Sequence, residues 1–428
     1  MSEKKRIVII GGGFGGLNLI KNIDKQKYEI LLIDRNNFHS FPPLFYQIAS
    51  SGLDPGSISF PFRRELRKGK VKGAKYNMGE VKTINFAKKE VTTQYETIPY
   101  DILVISAGTT NNFFGIKGLQ EQVFTLKSTG EALRCRNEIL YRLEKASITK
   151  DPKERRKLLS FTIIGGGPTG VEIAGAIGEM KRYVLFREYP DISTDDLCVT
   201  LIEGTDRILR TMSERSSKEA LDYLGHLMVD VKLQKTMQSY KDNIITLADG
   251  EEIYSEMVIW TAGITGEPFT FEGGTPEITR GNRFVVDEYN RIAGFEDVYA
   301  IGDISSHSDE TYPFGYPQLA QVAIQQAVTL AKNLNKGTMS KAFKYNDKGT
   351  MATVGRNRAV VDLNHFHLYG RPAWATWMFI HLISILGMRN KLSVLINWIW
   401  AYCTYSTSLR LLFHPTKYPK KSLNGNDR

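Results

Sequence analysis

The stretch Arg6-Ile-Val-Ile-Ile-Gly-Gly-Gly-Phe-Gly-Gly16 decides the fold of this chain. Four aliphatic residues at 7–10 predict a buried strand, and the spacing Gly11-x-Gly13-x-x-Gly16 follows them directly. The first glycine permits a tight turn, the second lets a pyrophosphate approach the backbone, and the third lets the next helix pack on the strand. The N-terminus of that helix then faces the phosphates. This pattern predicts a dinucleotide-binding β-turn-α-β unit.

The residues after this turn continue the same unit. We predict a helix over Leu17–Ile23 and a second strand over Tyr28–Asp34. Asp34 ends that strand 18 residues after Gly16, where a carboxylate can bind the hydroxyl groups of a ribose. The residues predicted for this first nucleotide site are Gly11, Gly13, Phe14, Gly15, Gly16, Asp34 and Arg35.

The unit recurs about 154 residues further along the chain. An apolar run at Leu158–Ile164 precedes Gly165-Gly-Gly167-Pro-Thr-Gly170. A helix is predicted from Val171, and a strand is predicted over Val199–Glu203. The acid that ends this strand lies 33 residues beyond the last glycine, and an insertion at Lys181–Asp196 accounts for the longer spacing. Two copies of one unit indicate two related domains rather than a solenoid. The residues predicted for the second site are Gly165, Gly167, Pro168, Thr169, Gly170 and Glu203.

Glu203 favours NADH in the second site, because a carboxylate repels the 2′-phosphate of NADPH. Arg207 and Arg210 lie nearby in sequence and keep NADPH open as the alternative. A chain with two such sites usually pairs a flavin with a nicotinamide nucleotide, since a hydride can pass between them. We therefore predict tightly bound FAD in the first site and NADH as the substrate of the second.

Strand-like segments between and after the two loops complete the predicted fold. Ile102–Gly108 and Met257–Gly263 both end in Ala-Gly, so the second half of the chain repeats the first. The other predicted strands are Val81–Ile84, Glu90–Thr93 and Val298–Asp303. We predict an α/β fold with two Rossmann-like dinucleotide-binding domains and a C-terminal region of amphipathic helices. The predicted boundaries are 1–120 and 278–345 for the two parts of the FAD domain, 121–277 for the NADH domain and 346–428 for the C-terminal region.

The segment Ala320-Gln-Val-Ala-Ile-Gln-Gln-Ala327 combines glutamines with small residues. On a helix, Gln321 and Gln325 share a face because they lie four residues apart. A flat molecule can lie against a neighbouring strip of small side chains and accept hydrogen bonds from the glutamines. That strip comprises Ala320, Ala323 and Ala327. The alternative is a half-buried helix with solvated glutamines.

Together these motifs resemble the two-dinucleotide-binding-domain flavoproteins and, within them, the type II NADH dehydrogenases (NADH:quinone oxidoreductases). The resemblance covers nearly the whole chain. Its departures are mild: Asp34 stands where glutamate is common, and Ser106 where an aliphatic residue or alanine is usual. The motifs that carry it are Gly11–Gly16 with Asp34, Phe41-Pro-Pro-Leu-Phe-Tyr-Gln47, Ala107-Gly108, Gly165–Gly170 followed by Val171-Glu172, Ala262-Gly263, Ala300-Ile-Gly-Asp303 and the 320–327 helix.

The resemblance implies further cofactor contacts. Asp303 would bind the flavin ribitol, although an N-cap for the following helix is the alternative. For Tyr46 and Gln47, packing in the core is an equal alternative to contact with the flavin. The contacts implied for FAD are Tyr46, Gln47, Ala107, Gly108, Gly302, Asp303 and Ala320, and those implied for NADH include Ala262, Gly263 and Glu172.

The resemblance also assigns the glutamine helix. Such a helix abuts the flavin on the quinone side, so Gln321 and Gln325 would line the quinone pocket. A helix that starts near Pro317 would direct its positive dipole end at the reduced flavin. Glu172 would lie near nicotinamide and flavin as a proton carrier; the alternative is a carboxylate favoured by the dipole of its own helix. The predicted catalytic residues are Glu172, Gln321 and Gln325.

Composition limits the other classes of function. The 42% hydrophobic and 24% charged residues are ordinary globular values, and 56 basic against 46 acidic residues give a net charge of +10. Such a surplus indicates an anionic partner, either nucleic acid or a membrane surface. Cys135, Cys198 and Cys403 lie far apart in sequence, which excludes a CxxC pair and favours a reducing compartment. His365 and His367 are two apart without a carboxylate-rich set beside them, so we predict no metal.

The segment 363–426 contains no Asp or Glu, seven Lys or Arg and four of the five tryptophans of the chain. Trp374–Met388 is apolar but only fifteen residues long, whereas a spanning helix needs about twenty. We predict amphipathic helices in the interface of an anionic membrane, with tryptophans at headgroup depth; a core helix pair or a dimer interface is the alternative. Within Leu392–Leu412, the apolar face is Leu392, Leu395, Ile396, Ile399 and Cys403, and the polar row is Ser393, Asn397, Thr404 and Ser408.

We therefore expect a peripheral flavoenzyme on the cytoplasmic face of the cell membrane that oxidises NADH through FAD and reduces a membrane quinone without pumping protons. The resemblance implies a homodimer. Nucleic acid is not expected as a partner, because the basic residues of the C-terminal segment are scattered among large apolar ones. The alternatives are a sulfide:quinone oxidoreductase, which needs a redox cysteine pair, a soluble ferredoxin or disulfide reductase, and a redox-responsive flavoprotein with a basic nucleic-acid-binding surface.

Overall fold

The computed structural model describes residues 4–364, 366–404 and 409–412 of the chain. The bounds of the helices are α1 Phe14–Asn22, α2 Phe45–Ala49, α3 Phe62–Glu65, α4 Leu119–Gln122, α5 Thr129–Ile148, α6 Pro152–Leu158, α7 Pro168–Tyr183, α8 Leu185–Glu188, α9 Glu214–His226, α10 Ala320–Lys336, α11 Gly370–Ser384 and α12 Met388–Thr404.

The strands are mostly short, and the parallel ones belong to the two nucleotide-binding units. In chain order they are β1 Lys5–Ile10, β2 Tyr28–Asp34, β3 Phe38–Ser40, β4 Ser59–Pro61, β5 Lys75–Met78, β6 Val81–Asn85, β7 Glu90–Thr93, β8 Thr97–Pro99, β9 Ile102–Ile105, β10 Thr109–Asn111, β11 Ser160–Ile164, β12 Cys198–Ile202, β13 Val229–Lys232, β14 Met237–Lys241, β15 Ile244–Leu247, β16 Glu252–Tyr254, β17 Met257–Trp260, β18 Ile264–Gly266, β19 Thr270–Glu272, β20 Phe284–Val285, β21 Val298–Ala300, β22 Ser305–Ser306, β23 Thr350–Thr353, β24 Ala359–Asp362 and β25 His367–Tyr369.

The first parallel sheet has the strand order β21-β9-β1-β2-β5. Ile7 pairs with Ile30 on one side and with Ile102 on the other, so the chain turns to opposite sides of β1. Because β21 joins from residues 298–300, the two sequence-distant parts predicted for the FAD domain share this sheet. Helices α1 and α10 pack on it around the buried side chains of Ala327 and Leu330.

The second parallel sheet repeats the arrangement, with the order β13-β12-β11-β17. Ile163 pairs with Leu201 and with Ile259, as Ile9 pairs with its own neighbours in the first sheet. In both sheets the glycine loop leaves the carboxyl end of the strand at which the order reverses, where open α/β sheets bind ligands. The predicted α/β fold class with two such units is confirmed.

The predicted helix starts need correction. Helices α1 and α7 begin at Phe14 and Pro168, three residues before the predicted starts, because Gly13 and Gly167 are the extended N-cap residues and the helix follows at once. Helix α10 begins at Ala320 rather than near Pro317, because Leu319 is still extended. The first three residues of the predicted insertion, 181–183, belong to α7, which continues to Tyr183.

The C-terminal region forms the sheet β23-β24-β25 followed by α11 and α12. Helix α12 spans Met388–Thr404, four residues earlier than predicted at its start, and Ser408 of the predicted polar row lies outside the described residues. Trp377 and Trp398 are buried, 1% and 8% exposed, so the prediction of headgroup depth is wrong for these two tryptophans. Within the residues described, no helix is long and apolar enough to cross a membrane.

Candidate functional site

The first glycine loop has the geometry that a dinucleotide needs. Gly11 has φ +95°, and a Cβ there would lie 2.4 Å from the Ser106 carbonyl oxygen. A Cβ on Gly16 would lie 2.0 Å from the Gly11 carbonyl oxygen, so the helix packs directly on the turn. A Cβ on Gly13 would meet nothing within 4 Å, which leaves open space in front of the loop for a pyrophosphate. Gly15 packs beside the Ser106 hydroxyl group.

Asp34 closes this loop from the end of β2. Its Oδ2 accepts a hydrogen bond from the Gly12 N–H at 2.7 Å, and its Oδ1 accepts one from the Asn36 N–H at 2.8 Å. Burial raises the pKa of the carboxyl group, and these backbone donors lower it. Arg35, in contrast, is half exposed and pairs with Glu267 at 3.0 Å. The structure therefore brings Asp34 to the loop and directs Arg35 to an ion pair outside it.

Aromatic side chains pack around the same loop. The His39 Nδ1–H donates to the Gly12 carbonyl oxygen at 2.9 Å, and burial lowers the pKa of this histidine to about 4, so it is neutral. The Phe14 ring meets His39 and Phe41 edge-on at centroid distances of 5.4 and 5.5 Å. His39 was not among the predicted residues, although it stands two positions before the Phe41–Gln47 motif.

The second glycine loop repeats the first. Gly165 has φ +109°, and a Cβ there would lie 2.7 Å from the Ala262 Cα atom. A Cβ on Gly170 would lie 1.8 Å from the Gly165 carbonyl oxygen, whereas one on Gly167 would meet nothing within 4 Å. The Gly166 N–H donates to Glu203 Oε2 at 2.6 Å, as Gly12 donates to Asp34. Pro168 and Thr169 of this loop are exposed.

The two units join where their Ala-Gly segments end. Strands β10 and β18 pair antiparallel directly after Ala107-Gly108 and Ala262-Gly263. The Asn112 N–H donates to the Gly263 carbonyl oxygen at 3.0 Å. The predicted FAD and NADH residues of the two segments are therefore held at one junction.

Gly302 and Asp303 lie against the start of α10. Gly302 has φ +76°, and a Cβ there would lie 3.2 Å from the Ala323 Cβ atom. The buried Gln326 accepts the Gly302 N–H through its Oε1 at 2.7 Å and so holds this loop to the helix. The N-cap alternative for Asp303 is wrong, because α10 begins at Ala320 with Leu319 as its N-cap.

The Asp303 carboxylate is partly buried near two cations. Burial raises its pKa, and the charges of Lys127 and Arg283 lower it. Arg283 Nε donates to the Asp303 carbonyl oxygen at 3.1 Å, which fixes the backbone. Across the described part of the chain, no donor reaches the carboxylate itself at hydrogen-bond distance, so its oxygens are available to a ribitol hydroxyl group.

Lys127 was missed by the sequence analysis. Its Nζ donates to Thr109 Oγ1 at 2.8 Å, directly after the Ala107-Gly108 segment. Burial lowers its pKa, while Asp303, Glu131 and Glu267 raise it. A cation with one hydrogen-bond partner among the described residues can donate to an oxygen of a bound nucleotide. Its sequence signal is weak, because a lysine before a helix N-cap is ordinary.

Gln321 and Gln325 share a face of α10 as predicted, but their amides are engaged. Gln321 donates to the Gly349 carbonyl oxygen at 3.1 Å and accepts the Lys348 N–H at 3.0 Å. Gln325 donates to the Asn346 carbonyl oxygen at 2.9 Å and accepts the N–H of the same residue at 3.0 Å. The two side chains therefore clamp the backbone of residues 346–349 that leads into the C-terminal region, and both remain only partly buried.

Glu172 lies at the beginning of a buried polar chain. It is 8% exposed, and burial raises its pKa to about 8. The Thr353 N–H approaches Glu172 Oε1 at 3.5 Å, and Thr353 Oγ1 lies 2.9 Å from the Tyr46 hydroxyl group. Gln47 Nε2 donates to that hydroxyl group at 3.0 Å, and Trp398 Nε1 of α12 donates to Gln47 Oε1 at 2.9 Å. This hydrogen-bond chain runs from the helix of the second glycine loop to the C-terminal helices.

The Trp377 ring extends the same buried region. Its indole N–H faces Glu172 without ordinary hydrogen-bond geometry and lowers the pKa of that carboxyl group. The ring stacks on His381 at 3.9 Å and meets Tyr46 edge-on at 6.4 Å. Tyr46 is buried and Gln47 partly buried in this region, and contact of either residue with the flavin stays a prediction.

The cysteines and histidines form no further cluster among the described residues. No group of three or more His, Cys, Asp or Glu side chains there is arranged to hold a metal ion. Cys135 is buried in α5, where burial raises the pKa of its thiol, and Cys198 is a free thiol in β12. His367 pairs with Asp362 at 2.7 Å, while His365 lies outside the described residues.

Two dinucleotide loops joined at one junction, with a buried carboxyl group on the second helix, define a two-domain nucleotide-dependent oxidoreductase. The chain matches the pyridine nucleotide-disulphide oxidoreductase family over residues 5–327 and the NDH2 C-terminal domain over residues 348–404. It is 33% identical to the type II NADH:quinone oxidoreductase Ndh of Mycobacterium tuberculosis, over 92% of this chain and 88% of that protein. The chain belongs to the pyridine nucleotide-disulphide oxidoreductase family and, within it, to the type II NADH:quinone oxidoreductases.

Two further comparisons agree with this assignment. The chain is 30% identical to the internal alternative NAD(P)H-ubiquinone oxidoreductase A1 of Solanum tuberosum, over 93% of this chain and 86% of that protein. The structure of NDH2 from Plasmodium falciparum in complex with NADH superposes with a TM-score of 0.88 at 22% identity, covering 95% of this chain and 100% of that one. At that identity the superposition shows the shared fold. The predicted family and enzyme class are confirmed.

Proposed function

We propose that this protein is a membrane-attached enzyme that oxidises NADH with FAD and passes two electrons to a quinone. The hydrogen-bond chain from Glu172 through Thr353, Tyr46 and Gln47 to Trp398 carries this proposal. It links the helix of the predicted NADH site to helices whose outer face is apolar. Family membership supports FAD as the cofactor and NADH as the reductant, as predicted from the sequence.

The residues of the first site fit FAD. Asp34 would bind the adenosine ribose, the open face of Gly13 would receive the pyrophosphate, and Asp303 with Lys127 would hold the flavin end. When bound, FAD accepts a hydride from NADH and returns two electrons to the quinone. The start of α10 beside Gly302 would place the positive end of the helix dipole near the reduced flavin.

The residues of the second site fit NADH better than NADPH. Glu203 lies against the loop, where it would bind ribose hydroxyl groups and repel a 2′-phosphate. Arg207 donates to the Met212 and Arg210 carbonyl oxygens at 3.2 and 3.1 Å, so one of the two arginines that would favour NADPH is engaged by the backbone, while Arg210 is exposed. This geometry supports NADH as the substrate.

Glu172 is proposed to supply a proton for quinone reduction. Because burial raises its pKa to about 8, this carboxyl group is mostly protonated at neutral pH and can donate. Gln321 and Gln325 are proposed to position the 346–349 backbone around the quinone pocket, and each amide keeps its second N–H to donate to a quinone oxygen.

The C-terminal helices are proposed to attach the protein to an anionic membrane at the cytoplasmic face. Ser393 of the polar row turns inward, where its hydroxyl group lies 3.1 Å from that of Ser57. The outward face of the two helices is apolar, and the absence of acids there avoids repulsion by anionic lipid. Its exposed side chains include Phe379, Ile383, Leu392, Ile396, Ile399 and Trp400. We also propose that the protein forms a homodimer through this region and that it catalyses the reaction without pumping protons.

Anaerobic stopped-flow absorbance tests the electron path. NADH should bleach the visible flavin band rapidly, and a short-chain quinone should restore it. Gln321→Ala and Gln325→Ala should slow the second phase about tenfold and leave the first unchanged, because they loosen the quinone-side clamp. Gln122→Ala, which changes an exposed amide on α4, is the matched control. Bleaching without any recovery by quinone would reject the proposed acceptor.

Vesicle flotation tests the membrane attachment. Ile396→Glu and Trp400→Glu place charge on the outward face of α12, so binding to vesicles with anionic lipid should fall at least tenfold. Tyr95→Glu changes an equally exposed aromatic residue in the hairpin between β7 and β8 and serves as the control. Equal flotation of all variants would exclude this face as the attachment surface.

The sulfide:quinone alternative gains no support from the cysteines. Cys135 is fully buried in α5 and Cys198 lies in β12, so neither forms a redox pair with the other. Among the residues that the structure describes, no feature favours a nucleic-acid-binding function.

A further inference from the structure

The tight turn Phe113–Ile116 contains a phenylalanine in an unfavourable position. The Ile116 N–H donates to the Phe113 carbonyl oxygen at 3.0 Å, and the central residues Phe114 and Gly115 have φ of +50° and +79°. Such a type I′ turn favours Asn, Asp or Gly at its first central position, because a Cβ disfavours left-handed backbone. Phe114 also leaves 63% of its surface exposed. Neither local conformation nor burial explains a large aromatic residue at this place.

The surrounding contacts hold the ring in one location. Asn112 Oδ1 accepts the Phe114 N–H at 2.9 Å, and the Asn112 carbonyl oxygen accepts the Trp260 Nε1–H at 2.9 Å. The Phe114 ring lies against Gly263, where a Cβ would come within 2.6 Å of its Cζ atom. Its centroid is 6.2 Å from that of Trp260. One edge of the ring is therefore packed on the strand end, and the rest faces outward.

That location borders the second nucleotide crevice. Gly263 follows β17, which pairs with β11, and β11 leads into the Gly165 loop. The two strand ends touch, since a Cβ on Gly165 would lie 2.7 Å from Ala262 Cα. Glu203 lies on the other side of β11, at the end of β12, and would take the adenosine ribose. A dinucleotide laid across the loop therefore extends its nicotinamide half toward β17 and Phe114.

We propose that Phe114 is an NADH-binding residue whose outward ring face covers the nicotinamide-ribose half of the nucleotide and slows its release. The inference rests on the proposed use of NADH and adds a contact that no sequence motif assigned. The Phe114 ring is uncharged, so its contact should contribute equally to the affinity for NADH and for NADPH. The Glu203 carboxylate, in contrast, should favour NADH. The strained turn persists because it presents the ring at this position.

Phe114→Gly separates this role from a structural one. Glycine adopts φ +50° without strain, so the unfolding temperature should stay equal or rise. The dissociation constant for NADH, obtained from the concentration dependence of flavin reduction, should rise about tenfold. The dissociation constant for NAD+, obtained by titration of the oxidised enzyme, should rise by a similar factor. The limiting rate of reduction should change little, and the ratio of NADH to NADPH affinity should not change.

Controls keep the outcome clear. Phe114→Asn retains the turn preference without the ring and should behave as the glycine variant does, whereas Phe114→Tyr should keep wild-type affinity. Tyr95→Ala removes an exposed aromatic ring in the hairpin between β7 and β8 and should leave NADH affinity unchanged. Wild-type affinity in folded F114G and F114N overturns this inference alone. Failure of NADH to reduce the flavin of the wild-type protein would instead reject the proposed function.

Discussion

The loop at Gly11–Gly16 and the loop at Gly165–Gly170 share a backbone but differ in their surroundings. In the first loop, Phe14 packs against the rings of His39 and Phe41. In the second, the equivalent Pro168 and its neighbour are exposed. The same glycine loop is therefore enclosed by aromatic rings in one copy and exposed in the other. An enclosed loop suits a cofactor that stays bound, and an exposed loop suits a substrate that must dissociate. The residues around the loop, rather than the loop itself, would then set the rate of nucleotide exchange.

The helices that follow the two loops differ at one equivalent position. Asn18, two residues after Gly16, donates to the Phe14 carbonyl oxygen of its own helix at 2.8 Å. Glu172, two residues after Gly170, is buried and has its pKa raised to about 8. In the first copy the side chain at this position donates a hydrogen bond to the backbone of its own helix. In the second copy the side chain is an acid that contacts a separate part of the chain. The comparison indicates that duplicated units diverge in chemistry where they meet the rest of the fold.

Equivalent substitutions in the two glycine loops should give the largest effects, and they test whether the first loop binds FAD and the second binds NADH. A valine at Gly13 or Gly167 projects into open space, where a pyrophosphate can lie, so the fold should persist. Gly13→Val should purify without the visible flavin band. Gly167→Val should keep the band and need about 100-fold more NADH for reduction, equivalent to about 3 kcal/mol of lost binding. Absorbance spectra, with circular dichroism for folding, measure both; equal flavin content in the two variants would contradict the assignment of the first loop to FAD.

The acids that close the two loops should differ next in effect. Glu203→Gln keeps an acceptor for the Gly166 N–H but removes the charge that repels a 2′-phosphate. The ratio of kcat/KM for NADPH to that for NADH should therefore rise about tenfold. Asp34→Asn should leave this ratio unchanged and weaken FAD retention instead. Steady-state kinetics with both nucleotides decides, and an unaltered ratio in E203Q would show that Glu203 does not select the nucleotide.

The Asn18–Glu172 difference predicts a pH effect. The quinone-dependent phase should be fast below pH about 8 and decline above it, as Glu172 loses its proton. Glu172→Gln should slow this phase about tenfold or more and remove the decline, which stopped-flow traces across pH will measure. Glu154→Gln, on the exposed face of α6, is the control. A wild-type profile retained by E172Q would assign the titration to another group.

The same shift has a consequence for stability. Between the ordinary pKa of 4.5 and about 8, the folded protein binds this proton more tightly than the unfolded chain. The free energy of unfolding should therefore fall as pH rises through that range, by up to about 5 kcal/mol from this group. Glu172→Gln should remove that part of the slope. Urea unfolding at several pH values measures it, and parallel curves for both proteins would argue against a buried neutral acid.

Substitution of Lys127 should give the smallest effect and tests which part of FAD this lysine contacts in the first site. Its ammonium group stands beside Thr109 and near Asp303, so its charge should stabilise the reduced flavin or the phosphates. Lys127→Met should lower the flavin reduction potential by about 30 mV or weaken FAD retention, and Lys127→Arg should restore either property in part. Dye-coupled potentiometry and FAD release assays distinguish the two. Lys235→Met, near the second loop, should change neither.

The elements of both nucleotide units followed from local sequence. Strand β2 has the predicted bounds, because its apolar residues form one short run that ends at a charged residue. Gly11 and Gly165 were identified correctly as turn residues, since their positive φ is inaccessible to most side chains. Helix starts were less accurate, because N-cap conformation depends on the loop before it. The start of α10 was placed near Pro317, a residue that belongs to that loop.

Several site residues were invisible to local patterns. His39, Lys127 and Gln326 each have an ordinary sequence neighbourhood, and their roles come from partners that the fold supplies. Trp377 and Trp398 carried an interfacial signature yet lie in the interior. Composition reports an average over a segment, whereas burial depends on which face of each helix meets the protein.

By itself, the sequence determined the two glycine loops, the acids that close them and the family of the protein, because these depend on residues within one β-turn-α-β unit. Tertiary structure decided that Glu172 meets Thr353, 181 residues away, and that Gln321 clamps Gly349. It also decided that Phe114 covers Gly263. Such contacts join separate units, so no local periodicity encodes them. Burial, which shifts the pKa of Glu172, exists only once those units have packed together.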